Sequence, residues 1–316
     1  MLKIALEEHF LAPGFEDYWA ATVDNVPDAG RKALFAKLTD FGAQRLEAMA
    51  QGGIGLSVLS LAGPGVQAER DTAAAVRKAR AANDFLAREI LRAPKSYAGF
   101  AHLPMQDAKA AADELERCMS ALGFHGAMIN GHTHGVYLDA PALYPFWERA
   151  EALGALIYLH PADPVTRAPA IEGHPGLRRA TWEWTMETGS HALRLVFSGL
   201  FDRFPKLTVA LGHLGETLPY QLWRFDSRAE LYGVKLARRP SQYIRENLAV
   251  TLSGMYSREP FLCALEALGA DRVMFSADYP FESAKTAGDF LDAAALDAAT
   301  RAAVSHGNAR RLLRLA

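Results

Sequence analysis

Four widely separated segments carry side chains that together could hold a divalent metal ion. They are Glu7-Glu8-His9, His160-Pro161, His213-Leu214-Gly215-Glu216 and Asp278-Tyr279-Pro280. Imidazole and carboxylate ligands suit zinc, and also manganese or iron where oxygen donors are numerous. An ion held by three or four such groups keeps a position open, from which it could polarise a substrate oxygen or acidify a bound water. His213 and Glu216 stand three apart, close enough to face each other over the first turn of a helix. The carboxylate would then fix the imidazole's tautomer and raise its basicity. A single histidine is more often a surface or core residue, and a single Asp after a strand is often a helix N-cap. The weight lies in four such coincidences.

These residues can meet only if the chain brings them together, and each follows a short aliphatic run. Eight runs recur, at 2–6, 54–61, 97–103, 126–130, 156–160, 207–211, 248–252 and 272–276, each followed by a helical pattern. Several are continuous rather than alternating, as expected of parallel strands covered on both faces. Residues 69–93 put Ala82, Phe85, Leu86 and Ile90 on one helical face; 107–122 start from Asp107 as N-cap and stop at Gly123; 286–313 are rich in Ala, Leu and Arg. Eight strand–helix alternations predict an α/β fold closed as a (β/α)₈ barrel of the TIM type, a single domain over 1–316. Such barrels keep their chemistry at the strand C-termini. Alternation sets Glu7 and His9 on one side of their strand and Glu8 on the other. The long connections after the first and fifth strands, within 10–40 and 161–180, are expected to wall or cover the mouth.

Composition excludes several classes of function. Thirty-four basic and 36 acidic residues are interspersed, for a net charge of −2, which leaves no basic stripe for nucleic acid. No apolar run approaches the ~20 residues of a membrane span, and the N-terminal one is too short for a signal peptide. The expectation is a cytoplasmic protein. Cys118 and Cys263 are distant from each other and read as reduced, buried residues.

Longer stretches extend these motifs. They are A-L-E-E-H-F at 5–10, L-S-L-A-G-P-G-V-Q at 59–67, G-F-H-G-A-M-I-N-G at 123–131, Y-L-H-P at 158–161 and H-A-L-R-L-V-F-S-G-L-F-D at 191–202. L-G-H-L-G-E at 211–216, W-R-F-D at 223–226, F-S-A-D-Y-P-F-E at 275–282 and N-A-R-R-L at 308–312 complete the set. In this order they resemble the amidohydrolase-superfamily aromatic decarboxylases, the group containing γ-resorcylate (2,6-dihydroxybenzoate) and 2,3-dihydroxybenzoate decarboxylases.

The resemblance implies a barrel of the metal-dependent hydrolase type with one divalent ion, Zn²⁺ or Mn²⁺, bound by Glu7, His9, His160 and Asp278. It implies acid/base roles for Asp278, His213 and Glu216, and no organic cofactor. The implied reaction is reversible, non-oxidative decarboxylation of a hydroxybenzoic acid: Asp278 protonates the ring carbon bearing the carboxylate, and CO₂ leaves. A metal-bound carboxylate is a weak proton donor, a tension relieved if the proton is shared through His213 and Glu216. Many hydrolases of the superfamily carry histidine where Glu7 stands. Glu7 therefore tilts the reading away from the rival, hydrolysis of a lactone or amide with Asp278 as base.

Arg224 is a candidate partner for the substrate carboxylate or for a neighbouring subunit, since guanidinium pairs bidentately with carboxylate. Asn130, Phe10, Trp182 and Glu187 are candidate pocket walls. The chain departs from better-known members at Gly131-His132-Thr133-His134 and at Pro161-Ala162-Asp163-Pro164, where ring substituents would be sensed. Aromatics in 10–40 and 220–245, expected to be exposed, point with the resemblance to a homodimer or homotetramer.

Overall fold

The structure, a computed structural model, describes residues 2–315. Its strands are β1 (Lys3–Phe10), β2 (Ile54–Leu61), β3 (Tyr97–Gly99), β4 (Gly126–Asn130), β5 (Leu156–His160), β6 (Thr208–Leu211), β7 (Leu248–Thr251) and β8 (Val273–Met274). They pair in parallel and in chain order, as β1–β3 and β4–β8. A parallel bridge from Ala101 to Ala127 joins the two sets on one side. On the other, His9 N–H donates to the Tyr279 carbonyl at 2.7 Å. The result is a (β/α)₈ barrel. One interior cluster draws on every strand, among them Leu6, Val58, Ala98, Met128, Tyr158, Ala210, Ala249 and Met274, with Ala309 and Leu313 of the last helix packed beneath. A larger cluster fills the layer between strands and helices.

β1 contains the irregularity on which the site depends. Ala5 lies opposite Ser57 and Glu8 opposite Leu59, so β1 takes three steps where β2 takes two. That is a bulge at Leu6–Glu7. Ile4 and Leu6 face the barrel interior, whereas Ala5 and Phe10 face the helix layer. Strict alternation from Leu6 would aim Glu7 and His9 at the helices. The bulge turns both inward, and the Tyr158 hydroxyl inside the barrel donates to Glu7.

The connection after β1 contains helices Glu16–Ala20 and Asp28–Leu38, and the C-terminal region is broken into Ala284–Ala293, Ala298–Ala302, a π-turn at Ala303–Gly307 and Asn308–Leu313. Asp107 caps its helix as expected, accepting from Ala110 N–H at 2.9 Å. Among the described residues no helix is long and apolar enough to cross a membrane.

Helices Ala43–Gly52 and Ala284–Ala293 flank the β8–β1 seam and cross at glycine. A Cβ at Gly288 would stand 2.3 Å from the Gly52 carbonyl oxygen, and one at Gly52 would stand 2.6 Å from that of Ala284. With backbone on both sides neither helix can yield cheaply. Gly288→Ala is expected to destabilise the chain by about 1–3 kcal/mol, read as a lowered urea midpoint; an unchanged midpoint would contradict the tight crossing.

Candidate metal centre

The strand ends bring Glu7, His9 and His160 together, with ligand atoms all within 4.8 Å of one another. His160 Nε2 lies 3.5 Å from Glu7 Oε1, and His9 Nε2 lies 3.4 Å from Asp278 Oδ1. His160 Nδ1 donates to the Pro161 carbonyl at 2.9 Å, which leaves Nε2 with its lone pair facing the cluster. Burial, reinforced by His9, pushes the His160 imidazole down to about 3, so it is neutral, as a ligand must be. Glu7 Oε1 and His9 Nε2 are buried and have no hydrogen-bond partner. Orphans of this kind are rare and costly, and a divalent ion would satisfy both. The donor set therefore fits a metal.

His213, Glu216 and Asp278 stand beside it on a strained backbone. The sequence suggests a right-handed helical turn at 213–216, but φ is +50° at His213, +53° at Leu214, +83° at Gly215, +52° at Glu216 and +66° at Thr217. Left-handed backbone costs non-glycine residues roughly 1–2 kcal/mol each, and such strain collects at functional sites. The turn sets His213 Nδ1 2.7 Å from Glu216 Oε1. His213 Nε2 is then 3.9 Å from Asp278 Oδ2. Burial opposes charge on His213, yet Glu216 and Glu7 raise its imidazole well above the usual range. Burial also opposes charge on Asp278, yet contacts with His213 and His9 hold it well below the ordinary carboxylate range. Both directions favour a charged His213 beside an ionised Asp278.

Two supports escaped the sequence reading. Arg45, only 1% exposed, donates through Nη2 to the His9 carbonyl at 2.7 Å and through Nε to the Asp40 carbonyl at 2.8 Å. Its guanidinium lies 4.9 Å from the centre of the Tyr279 ring. It thus braces the end of β1, which carries His9, against the segment after β8 that carries Asp278. Glu8, on the far side of β1, accepts from Ala277 N–H at 2.9 Å; burial pushes its carboxyl up to about 8. The spacing of Arg45 with buried Met49 and Gly52 on one helix face is the sequence signal that could have marked Arg45 as internal.

Above the cluster opens a cavity of about 510 Å³, lined by His9, His160, His213 and Asp278 together with Asn130, Trp19, Val23, Val26, Asp163, Arg179 and Trp184. The long connections after β1 and β5 supply most of this wall, as expected. Arg179 ties them together, donating to Asn25 at 2.8 Å and to the Ala21 carbonyl at 2.9 Å while pairing with Asp163 at 3.3 Å. Asn130 is in the lining, and both polar atoms of its amide lack partners.

The other expected wall residues are elsewhere. Phe10 points away from His9 into the helix layer, 5.6 Å from Phe41. Trp182 is 44% exposed outside the cavity, and Trp184, whose Nε1 donates to Asp163 at 2.7 Å, takes the place expected for it. Glu187 accepts from the Tyr137 hydroxyl at 2.6 Å and is outside the lining. Arg224 is exposed on helix Leu222–Leu231 and does not reach this chain's own cavity. Phe15 and Trp19 are buried, contrary to expectation, whereas Tyr220, Trp223 and Tyr232 are exposed.

Residues 36–315 match the amidohydrolase family. The chain is similar to a γ-resorcylate decarboxylase of Polaromonas sp. strain JS666, 41% identical over 99% of this chain and 98% of that one. It superposes on a 2,6-dihydroxybenzoate decarboxylase complexed with 2,6-dihydroxybenzoate, with TM-score 0.94, 40% identity and complete coverage of both chains. A Polaromonas sp. JS666 dihydroxybenzoic acid decarboxylase with bound manganese and 2-nitroresorcinol superposes with TM-score 0.93 and 40% identity over 99% of this chain and 97% of that one.

Arg45→Lys keeps the charge but cannot span the His9 and Asp40 carbonyls at once. It is expected to cost about 1–3 kcal/mol of stability, measured by denaturant unfolding; native-like stability would deny Arg45 its bracing role.

Proposed function

The chain belongs to the amidohydrolase family, and from that membership we propose that it is a metal-dependent, non-oxidative decarboxylase of a hydroxybenzoic acid of the 2,6-dihydroxybenzoate type. The observation that carries this reading is one cavity lined by His9, His160, His213 and Asp278, with Glu7 buried beside the two histidine ligands and Glu216 behind His213, in a chain 41% identical to a γ-resorcylate decarboxylase.

Glu7, His9, His160 and Asp278 would hold the ion, manganese in the relative described above. When bound, the ion supplies a Lewis-acid anchor for the substrate's carboxylate and adjacent phenolic oxygen. The rest falls to side chains. Trp19, Val23, Val26 and Trp184 enclose the ring and exclude water, which strengthens electrostatic contacts in the cavity. Asp278 turns Oδ1 toward His9 and Oδ2 toward His213. The proton held on His213 passes to Oδ2 and from there to the ring carbon that bears the carboxylate. Glu216 stabilises the imidazolium before transfer and keeps its ring in place. The bond from the ring to the carboxylate then breaks, its electron pair restores aromaticity, and CO₂ departs. This order explains how a carboxyl held below the ordinary range can deliver a proton: it relays one that His213 stores.

We also propose a homo-oligomer. Tyr220, Trp223 and Tyr232 are 84%, 75% and 73% exposed, an aromatic surface of the kind that marks an interface, and Arg224 lies within it.

With Mn²⁺ present, the purified chain is expected to consume 2,6-dihydroxybenzoate with stoichiometric release of CO₂ and resorcinol. Chelation abolishes turnover and Mn²⁺ restores it. Asp278→Asn lowers kcat by roughly 10²–10⁴; hydrolysis of lactones without CO₂ release from any hydroxybenzoate would overturn the reading. Glu216→Gln leaves His213 without its charge partner and is expected to shift the alkaline limb of the kcat profile, where activity falls as His213 loses its proton, downward in pH. A profile identical to that of the native chain would remove Glu216 from the proton path.

A further inference from the structure

We propose that Tyr158 and Ser253, backed by Thr251, form a hydroxyl cage that holds one oxygen of Glu7 and leaves the other for the metal, and that this cage sets the affinity of the site for its ion. The inference rests on the reading of Glu7 as a ligand and goes beyond it.

Glu7, Tyr158, Thr251 and Ser253 are all fully buried. The Tyr158 hydroxyl donates to Glu7 Oε2 at 2.5 Å, and the Ser253 hydroxyl donates to the same oxygen. Thr251 Oγ1 touches both hydroxyls, at 2.7 Å from Tyr158 and 2.6 Å from Ser253. Glu7 Oε1 receives nothing, and it is this oxygen that faces His160 Nε2.

Backbone completes the enclosure. A Cβ at Gly212 would stand 2.7 Å from Glu7 Oε2 and 3.2 Å from the Tyr158 hydroxyl, so only glycine fits at the end of β6. The carboxylate therefore cannot turn over: one oxygen is saturated by two donors, and the other is free to coordinate. The cage also suits a carboxylate better than an imidazole. Neutral histidine offers a single acceptor nitrogen, so at position 7 it could not serve both donors and still bind an ion. Tyr158, Thr251 and Ser253 are absent from the cavity lining; they are positioning residues that act on the ion through Glu7.

The test is a Mn²⁺ titration of the full-length, metal-stripped chain by calorimetry and electron paramagnetic resonance. Tyr158→Phe and Ser253→Ala are each expected to raise Kd about 10–100-fold. Thr251→Val, which loses contact only with the other hydroxyls, has a smaller effect in the same direction. The zero-field splitting of bound Mn²⁺ changes with them, and KM for substrate at saturating Mn²⁺ does not. Circular dichroism checks folding, and if Tyr158→Phe fails to fold the other two variants decide. Native Kd and native spectra in folded variants overturn the cage. Glu7→Ala separates the two readings. If Glu7→Ala abolishes Mn²⁺ binding while the cage variants bind normally, only the cage fails; if Glu7→Ala binds as tightly as native, the ligand assignment falls and the cage with it.

Discussion

Glu7 is a carboxylate with no access to solvent, and the rest of the site is arranged around that constraint. Burial drives its pKa up, because removing an ionised carboxylate from water costs several kcal/mol even after relaxation. Hydroxyl donors on one oxygen offset part of that cost, and an ion on the other would offset more. Each requirement reaches into the fold. The bulge in β1 must turn the side chain inward, β5 and β7 must deliver the hydroxyls, and β6 must end in a glycine to leave room. The barrel interior is thus apolar through most of its depth and becomes a polar network only at the level where the ion would sit.

A charged cluster at the seam where β1 meets β8 would pull the barrel open unless that seam were braced. Regular strand pairing is not available there, since β8 spans only Val273–Met274. Side chains take over: Ser276 accepts from Glu7 N–H at 2.7 Å, Glu8 accepts from Ala277 N–H, and Arg45 secures the His9 carbonyl. Held neutral by burial, Glu8 adds no second negative charge behind the cluster. The glycine crossing of Gly52 and Gly288 lets two helices press on the same seam. Stability and ligand geometry are therefore the same problem at this point of the structure.

Much of this was legible in the sequence, for reasons that are themselves physical. β2, β4 and β5 match their expected limits because each is an apolar run closed by a change in residue type. The convergence of Glu7, His9, His160 and Asp278 followed from their placement at strand ends, since a barrel gathers such ends at one rim. What failed was parity and handedness. Phe10 reads as a pocket wall but lies on the face opposite its neighbour His9, and of the two tryptophans at 182 and 184 it is Trp184 that faces inward. The bulge at Leu6–Glu7 leaves no mark on composition, because an extra residue in a strand looks like any other. The left-handed run at 213–217 contains one glycine, Gly215, and nothing in the other four residues announces the turn. Arg45 was missed because a buried arginine is rare, and its partners are backbone carbonyls that no sequence pattern displays.

Glu7 and Asp278 share a design and differ in one respect, and that difference separates their proposed roles. Each points one oxygen at the cluster, Oε1 of Glu7 toward His160 and Oδ1 of Asp278 toward His9. The second oxygen of Glu7 meets hydroxyls, which near neutral pH neither gain nor lose a proton and so hold it still. The second oxygen of Asp278 faces His213, an imidazole that titrates and is kept charged by Glu216. A proton delivered to Glu7 would have no source in its cage, whereas one delivered to Asp278 has a reservoir beside it. Asp278 also lines the cavity, and Glu7 does not. Of the two chemically similar proposed ligands, Glu7 is therefore suited to hold an ion and Asp278 to carry a proton to what the ion would bind.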